Sequence, residues 1–259
     1  MHILKSLMIA FSIYSKIPVP QFEWKEEEMK YMLCFFPWIG AVIGIFLYLW
    51  KYLCERFQVG TIGYIAIGVA IPLLITGGFH VDGFMDTMDA FHSYQPREKK
   101  LEILKDAHIG AFAVIMLVTY GLVYLGAFSE ITNDKLLSIV CAGFVLSRCL
   151  SGISVVSFQA AKKDGMLYLF ASNSQKNIVK LILYLESAVC IGFMLMQSIF
   201  AGLIVTASAF LAFAYYYYRS KKEFGGITGD TAGYFVLLSE GSMMVAAAVI
   251  NVLYKRWIE

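Results

Sequence analysis

VGTIGYIAIGVAIPLLITGGFHVDGFMDTMDA, residues 59–90, reads in two halves. Residues 59–76 are apolar apart from glycines, two threonines, a tyrosine and a proline. That run is close to the ~20 apolar residues a membrane helix needs. Two glycines follow, and then His80, Asp82, Asp86 and Asp89 within ten positions. A membrane-length run that delivers the chain to a histidine and three carboxylates places polar chemistry at a membrane boundary. Carboxylates in or beside lipid are costly and gather at functional sites.

The rest of the chain agrees. Of 259 residues 59% are hydrophobic and 15% charged, against about 45–50% and 25% for soluble domains. The net charge of +2 lacks the basic excess of a nucleic-acid binder, so no nucleic-acid partner is expected. Cys34, Cys54, Cys141, Cys149 and Cys190 fall in or beside apolar runs, none at CxxC spacing. They read as buried apolar side chains. Apolar runs predict seven spans, at roughly 33–53, 59–79, 109–128, 136–158, 179–197, 199–218 and 233–254. Glu240 inside the last makes it partly buried or re-entrant, which would leave six. The N-terminus lacks a small-residue cleavage site before Pro18 and Pro20 and reads as a retained interfacial helix. The fold class expected is therefore an all-α polytopic membrane bundle, a single integral membrane domain over 1–259. Fourteen Lys and Arg residues fall on the side holding the N-terminus and the loops after spans two, four and six, against five on the other. The positive-inside rule makes the first side cytoplasmic. Six of the seven aspartates, all but Asp134, lie on that side.

Asp82, Asp86 and Asp89 stand at i, i+4 and i+7, one face of a helix. Like charges so placed repel one another and call for a counter-charge. Mg²⁺ is suited to the role, because it takes one or two carboxylates together with substrate phosphate. The glycines before His80 permit a turn and close backbone approach. His80 reads as metal ligand, base or phosphate partner, or as a hydrogen-bonded structural residue.

Two further stretches carry chemistry. KDAHIGAFA, 105–113, sets Lys105, Asp106 and His108 where a span begins. A lysine and a helix N-terminus both favour phosphate; a snorkelling lysine beside a helix cap is the alternative. EFGGITGDTAG, 223–233, sets Gly226, Thr228, Gly229, Asp230 and Thr231 before the last span. Such amides cradle phosphate oxygens and such oxygens reach a metal, although no Gly-Lys-Ser/Thr makes it a Walker loop. Glu240 lies further along, and Arg148, inside the fourth span, is a counter-charge for some acid of the bundle. The residues alone thus describe a membrane enzyme of phosphoryl or phosphodiester transfer, resting on charge stabilisation and positioning.

These segments have a family likeness. GGFHVDGFMDTMDA, KDAHIGAFA and GGITGDTAGYFVLLSE resemble, in order, the signature segments of the cobalamin synthase family, the adenosylcobinamide-GDP ribazoletransferases. IPVP at 17–20, FPWIGAVIG at 36–44 and LSRCL at 146–150 resemble others of its segments. The resemblance implies a Mg²⁺-dependent reaction joining adenosylcobinamide-GDP to α-ribazole or its 5′-phosphate. A ribose hydroxyl attacks the phosphate on the cobinamide side chain, and GMP leaves. It implies an acidic motif at His80, Asp82, Asp86 and Asp89, a basic-acidic pair at Lys105 and Asp106, and a glycine-threonine loop over 226–231. This chain departs from the pattern at Ala107 and His108, where Ser-Arg is usual, and at Ala90, where Gly is usual.

The expectations are these. Asp82, Asp86 and Asp89, with Asp230 and Glu240, hold Mg²⁺. Lys105, Asp106 and His80 serve catalysis, His80 assisting the attacking hydroxyl. His108, Arg148, Gly226, Thr228, Gly229 and Thr231 contact phosphate or substrate. The protein sits in the prokaryotic cytoplasmic membrane with its site toward the cytoplasm, in contact with lipid, its oligomeric state open. Two rivals stand beside this reading. A CDP-alcohol phosphotransferase needs Asp-Gly followed by Ala-Arg, whereas Asp82-Gly83 is followed by Phe84-Met85. A cation-coupled transporter would use Glu186 and Glu240 in its spans, but no internal repeat supports it.

Overall fold

The structure, a computed structural model, describes residues 2–20 and 22–258. The chain forms α1 (His2–Tyr14), α2 (Glu26–Met29), a 3₁₀ turn (Met32–Phe35) running into α3 (Phe36–Phe57), α4 (Thr61–Thr76) and α5 (Phe79–His92). There follow α6 (Arg97–Ile103), α7 (Ala111–Ser129), α8 (Asp134–Ser157), α9 (Gly165–Asn173), α10 (Lys176–Gln197), α11 (Ile199–Phe224) and α12 (Gly229–Ile258). Among the described residues the only β pairing is one parallel bridge, Ala160 to Ile227. The chain is an all-α polytopic bundle. Among the described residues six helices are long and apolar enough to cross a membrane, and the bent pair α4–α5 makes a seventh only if it is counted as one span.

The almost wholly buried α8 is the hub, packed by α3, α10, α11 and α12. Small residues allow this, as is usual where lipid leaves little hydrophobic force between helices. Gly40 of α3 sits on the backbone of Phe144, where any Cβ would collide with the carbonyl. All five cysteines are buried and free.

Polar contacts define two ends of the bundle. At one, Lys51 pairs with Asp134, and Asn251 Nδ2 donates to the Glu130 carbonyl at 2.6 Å. At the other, Lys16 N donates to the Ile75 carbonyl, Gln175 N to the Lys30 carbonyl, and Lys100 pairs with Glu223 at 2.5 Å. Thus α4 runs from the first end, where Trp50 Nε1 donates to the Tyr64 carbonyl, to the second. It is shorter than the expected 59–79, because Gly77 and Gly78 both adopt left-handed φ, at 64° and 80°. The chain bends by 93° there, so α5 leaves the line of the spans and lies across the second end.

Other boundaries also move. The third span starts at Ala111, after Gly110. The sixth continues to Phe224. The last is one unbroken helix and not re-entrant, since Glu240 finds a partner within the bundle. Lys255 and Arg256, counted for orientation, lie outside the residues whose side chains are described.

Candidate active site

The site is built on the contact of α5 with the start of α12. Gly83 lies against the Asp230 backbone so closely that a Cβ would stand 2.7 Å from the Asp230 carbonyl oxygen. Gly233 makes a looser approach to the His80 backbone. Two glycines thus bring Asp230 to the aspartate face of α5. Asp86 feels the result. Burial first, then the charges of Asp82, Asp230 and Asp89, push its carboxyl up to about 6. Among the described residues none of Asp82, Asp86 and Asp230 has an ion-pair partner.

A cavity of about 340 Å³ opens beside this cluster, lined by Asp82, Asp230, Thr228, Gly229, Lys105 and Lys162 among others. It holds the N-terminus of α12, whose amides favour an anion. Thr228 and Thr231 build that terminus. Thr228 N donates to Thr231 Oγ1 at 2.8 Å and Thr231 N to Thr228 Oγ1 at 3.1 Å. The glycine-threonine loop is held by the bridge to residues 159–161, where Ala161 N donates to the Ile227 carbonyl and Ile227 N to that of Gln159. A Cβ on Gly226 would fall 2.5 Å from the Gln159 oxygen, so Gly226 shapes the loop from behind. The same bridge carries Lys162 to the cavity. Lys162 Nζ donates to the Leu101 carbonyl at 2.9 Å, and burial followed by the charge of Lys105 lowers its pKa. Lys105 reaches Asp164 at 3.3 Å across the rim.

Several expected residues stand elsewhere. Asp89 accepts from Gly110 N at 2.5 Å and Ala113 N at 2.9 Å, so it caps α7 from the end of the acidic row. Asp106 turns to its own loop. It accepts from His108 N at 3.0 Å and meets His108 Nδ1 at 2.6 Å, and these contacts hold its carboxyl below the usual range. His108 is exposed and does not line the cavity. Thr231 is fully buried as a cap. Arg148 and Glu240 are not brought to the aspartates. They pair with each other at 2.6 Å deep in the bundle, Arg148 also donating to the Phe144 carbonyl. Glu240 is therefore set apart from the metal set expected for it. His80, 3% exposed, packs among Tyr14, Phe36 and Phe79, and neither ring nitrogen has a protein partner. Burial, then Arg148, holds its pKa well below the ordinary value. It lines two smaller cavities, of about 50 and 90 Å³, and not the acidic one. Sequence reasoning missed Lys162 and Asp164 as site residues. The signal was present in KKD at 162–164, read there only for membrane orientation.

Among the described residues no three His, Cys, Asp or Glu side chains already converge on one metal position. The donor set nonetheless suits a hard cation. It consists of carboxylate oxygens without cationic partners, one of them with its pKa raised by burial first and then by the others, and Mg²⁺ completes its shell with substrate phosphate and water.

Membrane-length helices that gather carboxylates, lysines and a helix N-terminus around one cavity form a candidate site whose chemistry suits a phosphorylated substrate. Comparison with known proteins narrows the class: residues 6–248 match the model of the cobalamin-5-phosphate synthase family, and the chain belongs to that family. An adenosylcobinamide-GDP ribazoletransferase of Lachnoclostridium phytofermentans is 44% identical over 95% of this chain and 94% of its own. Proteins of the same name from Clostridium perfringens and Clostridium botulinum are 31% and 33% identical over 95% and 92% of this chain, and over 98% and 95% of their own. No solved structure matches.

Proposed function

We propose that the protein joins adenosylcobinamide-GDP to α-ribazole or its 5′-phosphate, giving adenosylcobalamin or its phosphate and releasing GMP. The observation that carries this is the convergence of Asp82, Asp86, Asp230, Lys105, Lys162 and the α12 N-terminus at one end of the bundle. The relatives named for the reaction cover nearly the whole chain.

In the reaction the ribose hydroxyl oxygen forms a bond to the phosphorus that carries the cobinamide side chain. The bond from that phosphorus to the bridging oxygen breaks, GMP departs with the electron pair, and the hydroxyl proton is lost. Lys105 and Lys162 offer charge-assisted hydrogen bonds to the diphosphate and the leaving GMP. The amides of Gly229 and Asp230 add the helix terminus. Asp82, Asp86 and Asp230 are the residues to hold Mg²⁺ against the diphosphate, where it would neutralise developing charge. A loose phosphoryl-transfer transition state asks more for positioning and charge stabilisation than for a strong base. His80, behind Phe79 and outside the cavity, is not assigned the proton of the hydroxyl. Asp89 holds the start of α7 beside the acidic row.

The membrane is the prokaryotic cytoplasmic one, with the site toward the cytoplasm. Support comes from the gathering of Lys and Arg in the loops at the site's end of the bundle. The acids of the site lie at that end too, whereas an ion path needs charge carried along the spans; within the bundle Arg148 and Glu240 pair with each other.

The test is GMP release by the purified protein in lipid, supplied with adenosylcobinamide-GDP, with and without α-ribazole and Mg²⁺. Release needing both is expected. A folded protein that releases none under any of these conditions overturns the assignment.

A further inference from the structure

The acidic row of α5 divides two cavities. At about 100° per residue, Phe79 and Gly83 lie roughly a quarter turn to one side of Asp82, Asp86 and Asp89, and line the lysine cavity. Met88 and His92 lie roughly a quarter turn to the other side. With Phe84 and Phe91 they line a second cavity of about 910 Å³. This groove has α5 over its end, α7 and α11 as walls and α12 as floor. It falls within the ~300–1,000 Å³ of small-molecule sites.

Its chemistry is the opposite of its neighbour's. Tyr94, Tyr120, Tyr124, Tyr215 and Tyr234 contribute to it, with Met88 and Met116. Arg219 is the only Lys, Arg, Asp or Glu among its described lining residues. That guanidinium is drawn onto the Phe91 ring at 4.2 Å and donates to Tyr215 Oη at 3.0 Å. Plain acyl chains need no hydroxyls. A flat apolar ring fringed with amides suits rings that are apolar in the body and polar at the tip.

We propose that this groove seats the corrinoid body of the activated substrate, an inference that rests on the transferase assignment. The diphosphate then lies over the aspartate row, with the guanosine phosphate on the lysine side. Charge complementarity sets this direction. The anionic leaving group meets Lys105, Lys162 and a helix N-terminus, and the amide-fringed macrocycle meets tyrosines and methionines.

The test uses the full chain in lipid nanodiscs and adenosylcobinamide, which lacks the nucleotide, as probe. Binding is read by equilibrium dialysis from corrinoid absorbance. Thr119→Trp fills the groove from the α7 wall and Ser242→Trp from the α12 floor, so one variant remains if the other fails to fold. In the folded variants, Kd for adenosylcobinamide and KM for adenosylcobinamide-GDP should rise about ten-fold or more. KM for α-ribazole and the Mg²⁺ requirement should hold. Variants that keep wild-type corrinoid binding and KM overturn the proposal, and if they also shed bound phospholipid the groove is a lipid seat. A parent that releases GMP while its filled variants are unaffected sinks the groove alone. A parent that binds adenosylcobinamide through the groove and releases no GMP sinks the transferase assignment alone.

Discussion

Replacing Arg148 by Met removes one half of an ion pair buried in the bundle. Arg148 is 1% exposed and Glu240 8%, and their 2.6 Å contact is supported by Ser147 Oγ at 3.2 Å from the same Glu240 oxygen. Once Arg148 is gone, Ser147 is the remaining described partner of that carboxylate. Breaking such a pair from one side costs about 3–5 kcal/mol, whereas replacing both halves by apolar residues of similar volume is often neutral. Arg148→Met alone should therefore lose about 3–5 kcal/mol of stability, and Arg148→Met with Glu240→Leu should recover most of it. The assay is reversible unfolding of the purified protein in mixed micelles, beside the Mg²⁺ titration of GMP release. The double variant should keep the parent's Mg²⁺ midpoint, since the pair stands apart from the aspartates. If Glu240→Gln alone shifts that midpoint about ten-fold while stability holds, Glu240 is a metal ligand and the structural role given to the pair is refuted.

Other predictions follow from single contacts. Gly83→Ala would set a Cβ 2.7 Å from the Asp230 backbone oxygen, so α5 and α12 must separate; Mg²⁺ affinity measured by activity should fall even where the protein folds. Lys162→Ala should reduce kcat/KM for adenosylcobinamide-GDP by about ten- to a hundred-fold, the range of one charge-assisted hydrogen bond of ~1.5–3 kcal/mol. Asp89→Ala removes the acceptor of two α7 amides and should cost about 0.5–2 kcal/mol, seen as a lowered unfolding midpoint that Asp89→Asn partly restores. Glu28, whose pKa is lowered chiefly by its hydrogen bond from Lys5, ties α2 to α1. Its contribution should be present above pH 4.5 and lost as pH falls through the lowered folded value, read as declining exchange protection over residues 2–30.

The bundle was legible because lipid imposes length and hydropathy on each span. The turn at Gly77 and Gly78 was legible too, since paired glycines before charged residues signal a change of direction. What escaped was partnership. Asp89 looks like Asp82 in the sequence, and only the approach of α7 shows that it caps Gly110 and Ala113. Arg148 was marked as needing an acid, yet choosing Glu240, ninety-two residues away, required the packing of α8 on α12. Lys162 read as one more basic loop residue until the Ala160–Ile227 bridge brought it to the cavity. His80 is the reverse case. Its place in an acidic motif suggested chemistry at the cavity, whereas the structure sets it inward among aromatic rings, with neither ring nitrogen bonded to protein.

The central claim is that Asp82 and Asp230, from two helices joined at Gly83, act together on the substrate diphosphate, while Asp106, as close to the motifs in sequence, does not. The direct measurement is Mg²⁺-dependent GMP release by Asp82→Asn, Asp230→Asn and Asp106→Asn, each first shown to unfold at the parent's midpoint. The account predicts losses of about a hundred-fold or more for the first two and near-parent rates for the third. Full Mg²⁺-dependent activity in Asp82→Asn or Asp230→Asn would contradict it.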